Sequence, residues 1–201
     1  KEEASSVVSP GDSVTFERIF YENDHTVMSP ALDDRAGCAI LIFLMQKTEW
    51  KYDTDFLFAV QEEVGLNGSK TAAFSDQPQA SIVVETTTAA DVAGMAPENR
   101  VCFLGKGPVI SFMDKRTIYD REYCRIAFEE AKKAGLSCQY KQAVAGGNDA
   151  GAIHISRSGV RTVAVSLPGR YLHSPMSVIN RKDYEDAKSL AALMAERIAG
   201  E

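Results

Sequence analysis

Acidic residues and one histidine fall where strands should end. Asp33 and Asp34 stand just before an apolar run that starts at Gly37, and Glu62 and Glu63 directly follow Phe56-Leu57-Phe58-Ala59-Val60. Glu85 closes Ile82-Val83-Val84, and His173 lies a few residues beyond Val163-Ala164-Val165. In an open α/β sheet the carboxyl ends of the strands converge on one crevice, where ligands bind. Such ends delivering carboxylates and an imidazole would make a site suited to Zn²⁺, Mn²⁺ or Co²⁺, and no cysteine is placed to make it a thiolate site. Neighbouring side chains in an extended segment diverge, so one glutamate of the Glu62-Glu63 pair can bind metal while the other faces the substrate as general base. A base so placed takes a proton from a metal-bound water and passes it to a leaving amine, which is the chemistry of peptide hydrolysis.

Each group also has an ordinary structural use. A Glu-Glu pair is commonly a solvated surface pair. Asp33 can cap the helix that follows it, a role worth about 1 kcal/mol, and Asp149 after Gly146-Gly147-Asn148 can do the same. A lone His173 is commonly a satisfied core or surface residue, and His154 falls on the helix after Asp149 with no catalytic role. The joint placement at successive strand ends is what favours a shared site.

The elements that must position these groups alternate between helix and strand from Ala31 onward, which points to an α/β three-layer sandwich with a mixed, largely parallel sheet. Helices are predicted over 37–47, 68–74, 120–133, 150–156 and 183–198, and strands over 55–60, 81–85, 109–113, 137–142 and 160–166. The last helix is amphipathic, with Tyr184, Ala187, Leu190, Leu193, Met194 and Ile198 near helical spacing. Residues 1–30 differ in character. A Pro10-Gly11-Asp12 turn leads into a strand-like run from Ser13 to Phe20, the remnant of a small β module whose other strands lie elsewhere, since two short strands cannot stand alone.

Composition narrows the partners. The 201 residues are 45% hydrophobic and 25% charged, enough for one globular core. With 22 basic against 28 acidic residues and a net charge of -6, the chain offers no footprint for nucleic acid or an anionic membrane, so a small soluble ligand is expected. The longest apolar run, Ala39 to Met45, is too short to span a membrane, and the charged start is unlike a signal peptide, so a cytoplasmic location is expected. Four cysteines without CxxC spacing read as reduced thiols.

At these residues the sequence resembles the glutamyl aminopeptidase family, which includes the tetrahedral cytosolic aminopeptidases and whose members have often been called endoglucanases. The resemblance runs through Ala31-Leu32-Asp33-Asp34-Arg35-Ala36-Gly37-Cys38, Val60-Gln61-Glu62-Glu63-Val64-Gly65, Gly105-Lys106-Gly107-Pro108, Gly146-Gly147-Asn148-Asp149-Ala150 and Pro168-Gly169-Arg170-Tyr171-Leu172-His173-Ser174. It implies a catalytic metallopeptidase domain over 31–201, with 1–30 as the end of an inserted β-barrel. It further implies that Asp33 bridges two divalent ions (Zn, Co or Mn), that Glu63 and His173 bind one, that Glu85 binds the other, and that Glu62 is the general base. The family usually has Asp at position 85 and Thr at position 148, so Asp91 is a fallback for the second ion. Family members carry a longer N-terminal segment with a His-x-Asp ligand motif, so this chain is expected to lack the second ion's histidine, as a truncated sample, a proteolytic product or a short gene product. The full-length protein is expected to be a homo-oligomer acting on short peptides.

Two other readings stay open at this point. The chain can be a catalytically silent fragment, or a glycoside hydrolase using Glu62 and Glu85 across a sugar bond. The peptidase reading expects a chelator to abolish peptide hydrolysis and Zn²⁺, Mn²⁺ or Co²⁺ to restore it, whereas sugar hydrolysis that ignores a chelator would favour the glycosidase.

Overall fold

The computed structural model describes residues 2–17, 19–47 and 49–201. After a short helix α1 (Glu2–Ser5), the run 13–20 forms no strand at its described residues, contrary to the sequence expectation; Arg18 lies outside them. Pairing begins with β1 (Tyr21–Glu22) and β2 (Thr26–Ser29), whose turn is set by Asn23: its side-chain oxygen accepts the amides of His25 at 2.9 Å and Thr26 at 2.8 Å. The rest follows as α2 (Leu32–Lys47), α3 (Asn67–Asp76), β3 (Ala80–Thr88), a 3-10 turn at Pro97–Asn99, β4 (Val109–Ile110), α4 (Arg121–Ala134), β5 (Gln139–Tyr140), α5 (Ala150–Ile153), β6 (Arg161–Arg170), β7 (Ser177–Asn180) and α6 (Arg181–Ala199).

Strand β6 is the hub of one mixed sheet. One edge pairs in parallel with β3 from Ala80↔Arg161 to Thr88↔Gly169, and the other pairs antiparallel with β4 and then β7. β4 pairs in parallel with β5, while β7 pairs antiparallel with β2, so the hairpin at 21–29 extends the same sheet. The β3 and β6 sequences are rich in Val, Ile and Thr, as expected for strands covered on both faces.

Helices cover the sheet on both sides. α2, α4 and α6 share the main core with Val84, Val163, Val165 and Leu167, and a smaller cluster of Ala73, Ile153 and Val160 lies under α3 and α5. In α6 the buried apolar positions are Ala187, Leu190, Ala191, Met194 and Ile198, a single helical stripe. Leu193, expected on that face, lies toward solvent. Both long C-terminal helices start from a side-chain cap: Asp120 accepts from Glu122 and Tyr123, and Asn180 from Lys182 and Asp183.

The segment 55–60 departs from the sequence expectation: it forms no strand. Its aromatic Phe56 packs edge-on against Trp50, yet its backbone pairs with no strand among the described residues, and the outer edge of β3 is equally unpaired there. A short apolar run becomes a strand only when a neighbour takes its hydrogen bonds. Between 52–59 and β3 lies a slot of about 970 Å³ that opens onto the strand ends.

The loop before β4 is fixed by a buried charge. Asp183, fully buried near the start of α6, accepts the amides of Gly105 and Gly107 at 2.7 Å each. Gly107 has φ +84 and a Cβ there would stand 2.4 Å from the Ser137 carbonyl, so only glycine fits. Asp183→Ala would leave both donors without a partner and is expected to cost on the order of 3 kcal/mol, read as a shifted urea midpoint. A midpoint equal to wild type would show that water replaces the carboxylate.

Candidate metal centre

Helix α2 begins irregularly. Asp33 and Asp34 have non-helical backbone angles, and the peptide bond between them is cis. Asp34, not Asp33, caps the turn: its Oδ1 accepts the Gly37 amide at 3.1 Å and the Thr86 hydroxyl at 3.3 Å. A Cβ at Gly37 would lie 2.3 Å from Asp34 Oδ2 and 2.7 Å from the Val84 carbonyl, so glycine is what lets α2 sit this close to β3. Asp33 faces the other way, and its Oδ2 stands 3.1 Å from His173 Nε2.

Glu62 and Glu63 lie in the turn that leads to α3, where the Glu62 carbonyl accepts the amides of Gly65 and Leu66. Glu63 Oε1 is also 3.1 Å from His173 Nε2. The imidazole comes from the loop after β6, where Tyr171 and His173 both have left-handed backbone angles, φ +60 and +57. The Ser174 hydroxyl lies 2.6 Å from the Tyr171 carbonyl and 2.8 Å from that of Met176, tying the loop to itself.

Glu85 sits opposite Ser166 in the β3·β6 register, and its Oε1 accepts the Ser166 hydroxyl and the Asn148 amide, each at 2.8 Å. Asn148 also donates to the Tyr119 hydroxyl, which donates to Asp114 at 2.5 Å. Asp91 is used differently: both of its oxygens are held by Arg170, at 2.6 and 2.8 Å, and one also accepts the Leu104 amide.

Burial away from water comes first in setting the electrostatics, and crowding of like charges adds to it. Burial, then the Glu85 charge, pushes Asp34 up to about 8. Burial, then the charges of Asp149, Glu63 and Asp33, pushes Glu62 up to about 7. Glu85 is pushed up to about 8 by burial, against the hydrogen bond from Ser166, the Lys141 charge and the hydrogen bond from Asn148. Asp33 is raised by burial and by Glu63, with His173 opposing. Among the described residues no Lys or Arg forms an ion pair with Asp33, Asp34, Glu62, Glu63 or Glu85.

The donor set fits a divalent ion. Asp33, Glu63 and His173 each offer one ligand atom, and those atoms all lie within 4.8 Å of one another. Two carboxylates and one imidazole with no nearby thiol match the preferences of Zn²⁺, Mn²⁺ or Co²⁺. Glu85 stands outside this trio.

Of the residues singled out in the sequence, Asp33, Glu63 and His173 are brought together, with Glu62 beside them. The described cysteines are all free, and His154 hydrogen-bonds its Nδ1 to the Ala150 carbonyl away from the site. Asp149 stands at the start of α5 but makes no capping bond; its Oδ1 is buried without a partner, and the cap comes from Asn148, which accepts the Ala150 amide. The roles of Asp34, Ser166 and Arg170 were not readable. For Asp34 and Arg170 the sequence signal was membership of the motifs that carry the ligands, and Ser166 was only the end of a predicted strand.

A family model described as M42 glutamyl aminopeptidase matches residues 1–190. A protein of Acetivibrio thermocellus that carries a provisional aminopeptidase name is 38% identical over 192 residues, which is 94% of this chain and 57% of that protein. Among solved structures, aminopeptidase APDkam598 from the archaeon Desulfurococcus kamchatkensis superposes with a TM-score of 0.89 at 32% identity, over 98% of this chain and 56% of that one. The TET1 peptidase of Pyrococcus horikoshii, which can assemble into a tetrahedron or a large octahedral shell, gives 0.80 at 33% identity, over 96% and 57%. The chain thus spans about half the length of the relatives it matches.

The raised carboxyl groups have a consequence for stability. Asp34, Glu62 and Glu85 titrate near 7 to 8 in the fold, against about 4 in an unfolded chain. The folded state therefore holds extra protons between those values, and the stability these groups lend is full below the ordinary carboxyl range and lost as pH rises through 7 to 8. Metal-free protein is expected to melt lower at about pH 8 than at about pH 5, with added Zn²⁺ or Mn²⁺ closing the gap at the higher pH. A melting temperature that rises over that range without metal would contradict the crowding.

Proposed function

This chain belongs to the M42 glutamyl aminopeptidase family, and we propose that it carries the catalytic centre of a metal-dependent aminopeptidase releasing N-terminal residues from short peptides. The observation that supports this most is the trio of Asp33, Glu63 and His173 with a half-buried Glu62 beside it. A divalent ion held by the trio would polarise the scissile carbonyl and lower the pKa of water at the site.

The work of the protein side chains follows from their placement. Glu63 and His173 meet on one side of Asp33, so Asp33 is the residue that can serve a second ion, with Glu85 as its other ligand. Ser166 and Asn148 both hold Oε1 of Glu85 and so orient its carboxylate. Asp91 is not needed as that ligand, because Arg170 occupies both its oxygens. Glu62, raised to about 7, can hold a proton taken from the attacking water and release it to the leaving amine near neutral pH. The three-residue set makes one ion the tighter-bound.

Residues 31–201 form the catalytic part in this reading. Residues 1–30 belong to an inserted β module whose last strand, Thr26–Ser29, joins the catalytic sheet through β7. Exposed Val14, Phe16, Ile19 and Phe20 give that module an apolar surface, and with an assembling relative they support a homo-oligomer.

Glu62→Gln is expected to abolish peptide hydrolysis in the complete enzyme with metal content near normal, because only the proton carrier is lost. Glu63→Ala and His173→Ala are expected to lower metal content and activity together. Full metal in both variants, by atomic emission, would overturn the ligand set.

A further inference from the structure

The His173 imidazole is 66% exposed, so little packing of its own holds it in place. Its reach toward Asp33 and Glu63 is therefore set by the loop that carries it. That loop leaves β6 at Arg170, and Arg170 is bound side-on to Asp91, which lies just beyond the end of β3. The guanidinium donates from Nε to Asp91 Oδ1 at 2.6 Å and from Nη2 to Oδ2 at 2.8 Å, a two-pronged pair of fixed geometry. The Asp91 side chain is only 7% exposed, and the Leu104 amide donates to it at 3.0 Å, so the acceptor is itself anchored. On the far side of the fork, Leu172 folds back on the strand pair: a Cβ at Gly169 would stand 2.8 Å from Leu172 Cδ2 and 2.9 Å from Thr86 Cγ2. Two left-handed residues, Tyr171 and His173, then turn the chain so that the ring faces Asp33.

We propose that Arg170 and Asp91 are positioning residues for His173: their fork locks the ends of β3 and β6 together and so fixes where the imidazole meets Asp33 and Glu63. The inference rests on the reading of His173 as a metal ligand. Loss of a residue that orients a metal ligand from behind typically costs about 10- to 100-fold in metal affinity. Breaking the fork leaves the trio chemically intact and lets the loop drift, so the loss should appear in affinity for the ion.

The test is calorimetric titration of the purified metal-free protein with Zn²⁺, alongside thermal melts. Arg170→Met and Asp91→Asn are each expected to weaken Zn²⁺ binding roughly 10- to 100-fold, and the double variant no further than the worse single one, because both remove the same contact. Arg170→Lys keeps the charge without the fork and is expected to fall between wild type and Arg170→Met; it also serves if Arg170→Met fails to fold. Arg161→Met breaks a similar fork to Asp120 at the other end of β6 and is expected to leave Zn²⁺ affinity unchanged. Wild-type affinity in Arg170→Met and Asp91→Asn, with binding lost in His173→Ala, would overturn this inference and leave the metal site standing. An equal loss in Arg161→Met would also overturn it, by showing a general loosening. Wild type that binds no better than His173→Ala would overturn the metal-site reading, and this inference with it.

Discussion

The parallel pairing of β3 with β6 is the constraint on which the site depends. Its register sets Glu85 beside Ser166 and brings Thr88 level with Gly169, so Asp91 and Arg170 emerge within reach of each other just beyond. A slip of one residue would turn Glu85 to the opposite face and part it from both Ser166 and Asn148. The side chains of β3 and β6 pack against helices on both faces, and a slip would have to repack them all. Helix α2 is held to the same strand through Gly37 and the Thr86 contacts, so Asp33 is placed by the same pairing.

That framework gathers acids in one place without supplying a basic partner. Where Asp91 and Asp120 find an arginine, Asp33, Asp34, Glu62 and Glu85 are raised by burial and by the charges of neighbouring acids. Such crowding costs folding stability near neutral pH, and it is relieved by protons or by a cation. The same arrangement keeps Glu62 poised near the pH at which it can both accept and give up a proton. Stability given up at the strand ends and function proposed there have one physical origin.

Much of this was legible in the sequence because acids and a histidine recur where short apolar runs stop, and the helices α4 and α6 are written plainly in their spacing and caps. Residues 55–60 misled because an apolar run marks a segment that can be buried, while a strand also needs a neighbour for its backbone. The strand expected over 137–142 shrinks to Gln139–Tyr140 because its partner β4 is itself only two residues long. Asp33 and Asp149 both looked like helix caps, yet the caps came from Asp34 and Asn148, one residue away, since which side chain turns back is decided by local backbone angles. The Arg170 to Asp91 fork joins residues 79 apart in the chain, a distance over which spacing carries no signal.

The central claim is that Asp33, Glu63 and His173 close on a single divalent ion. The most direct measurement is an anomalous difference map, recorded at the zinc edge, from crystals of the protein grown with Zn²⁺. The strongest peak is expected among Asp33, Glu63 and His173, at distances of about 2.0 to 2.2 Å from one atom of each. Strong zinc peaks elsewhere with none at this trio would contradict it.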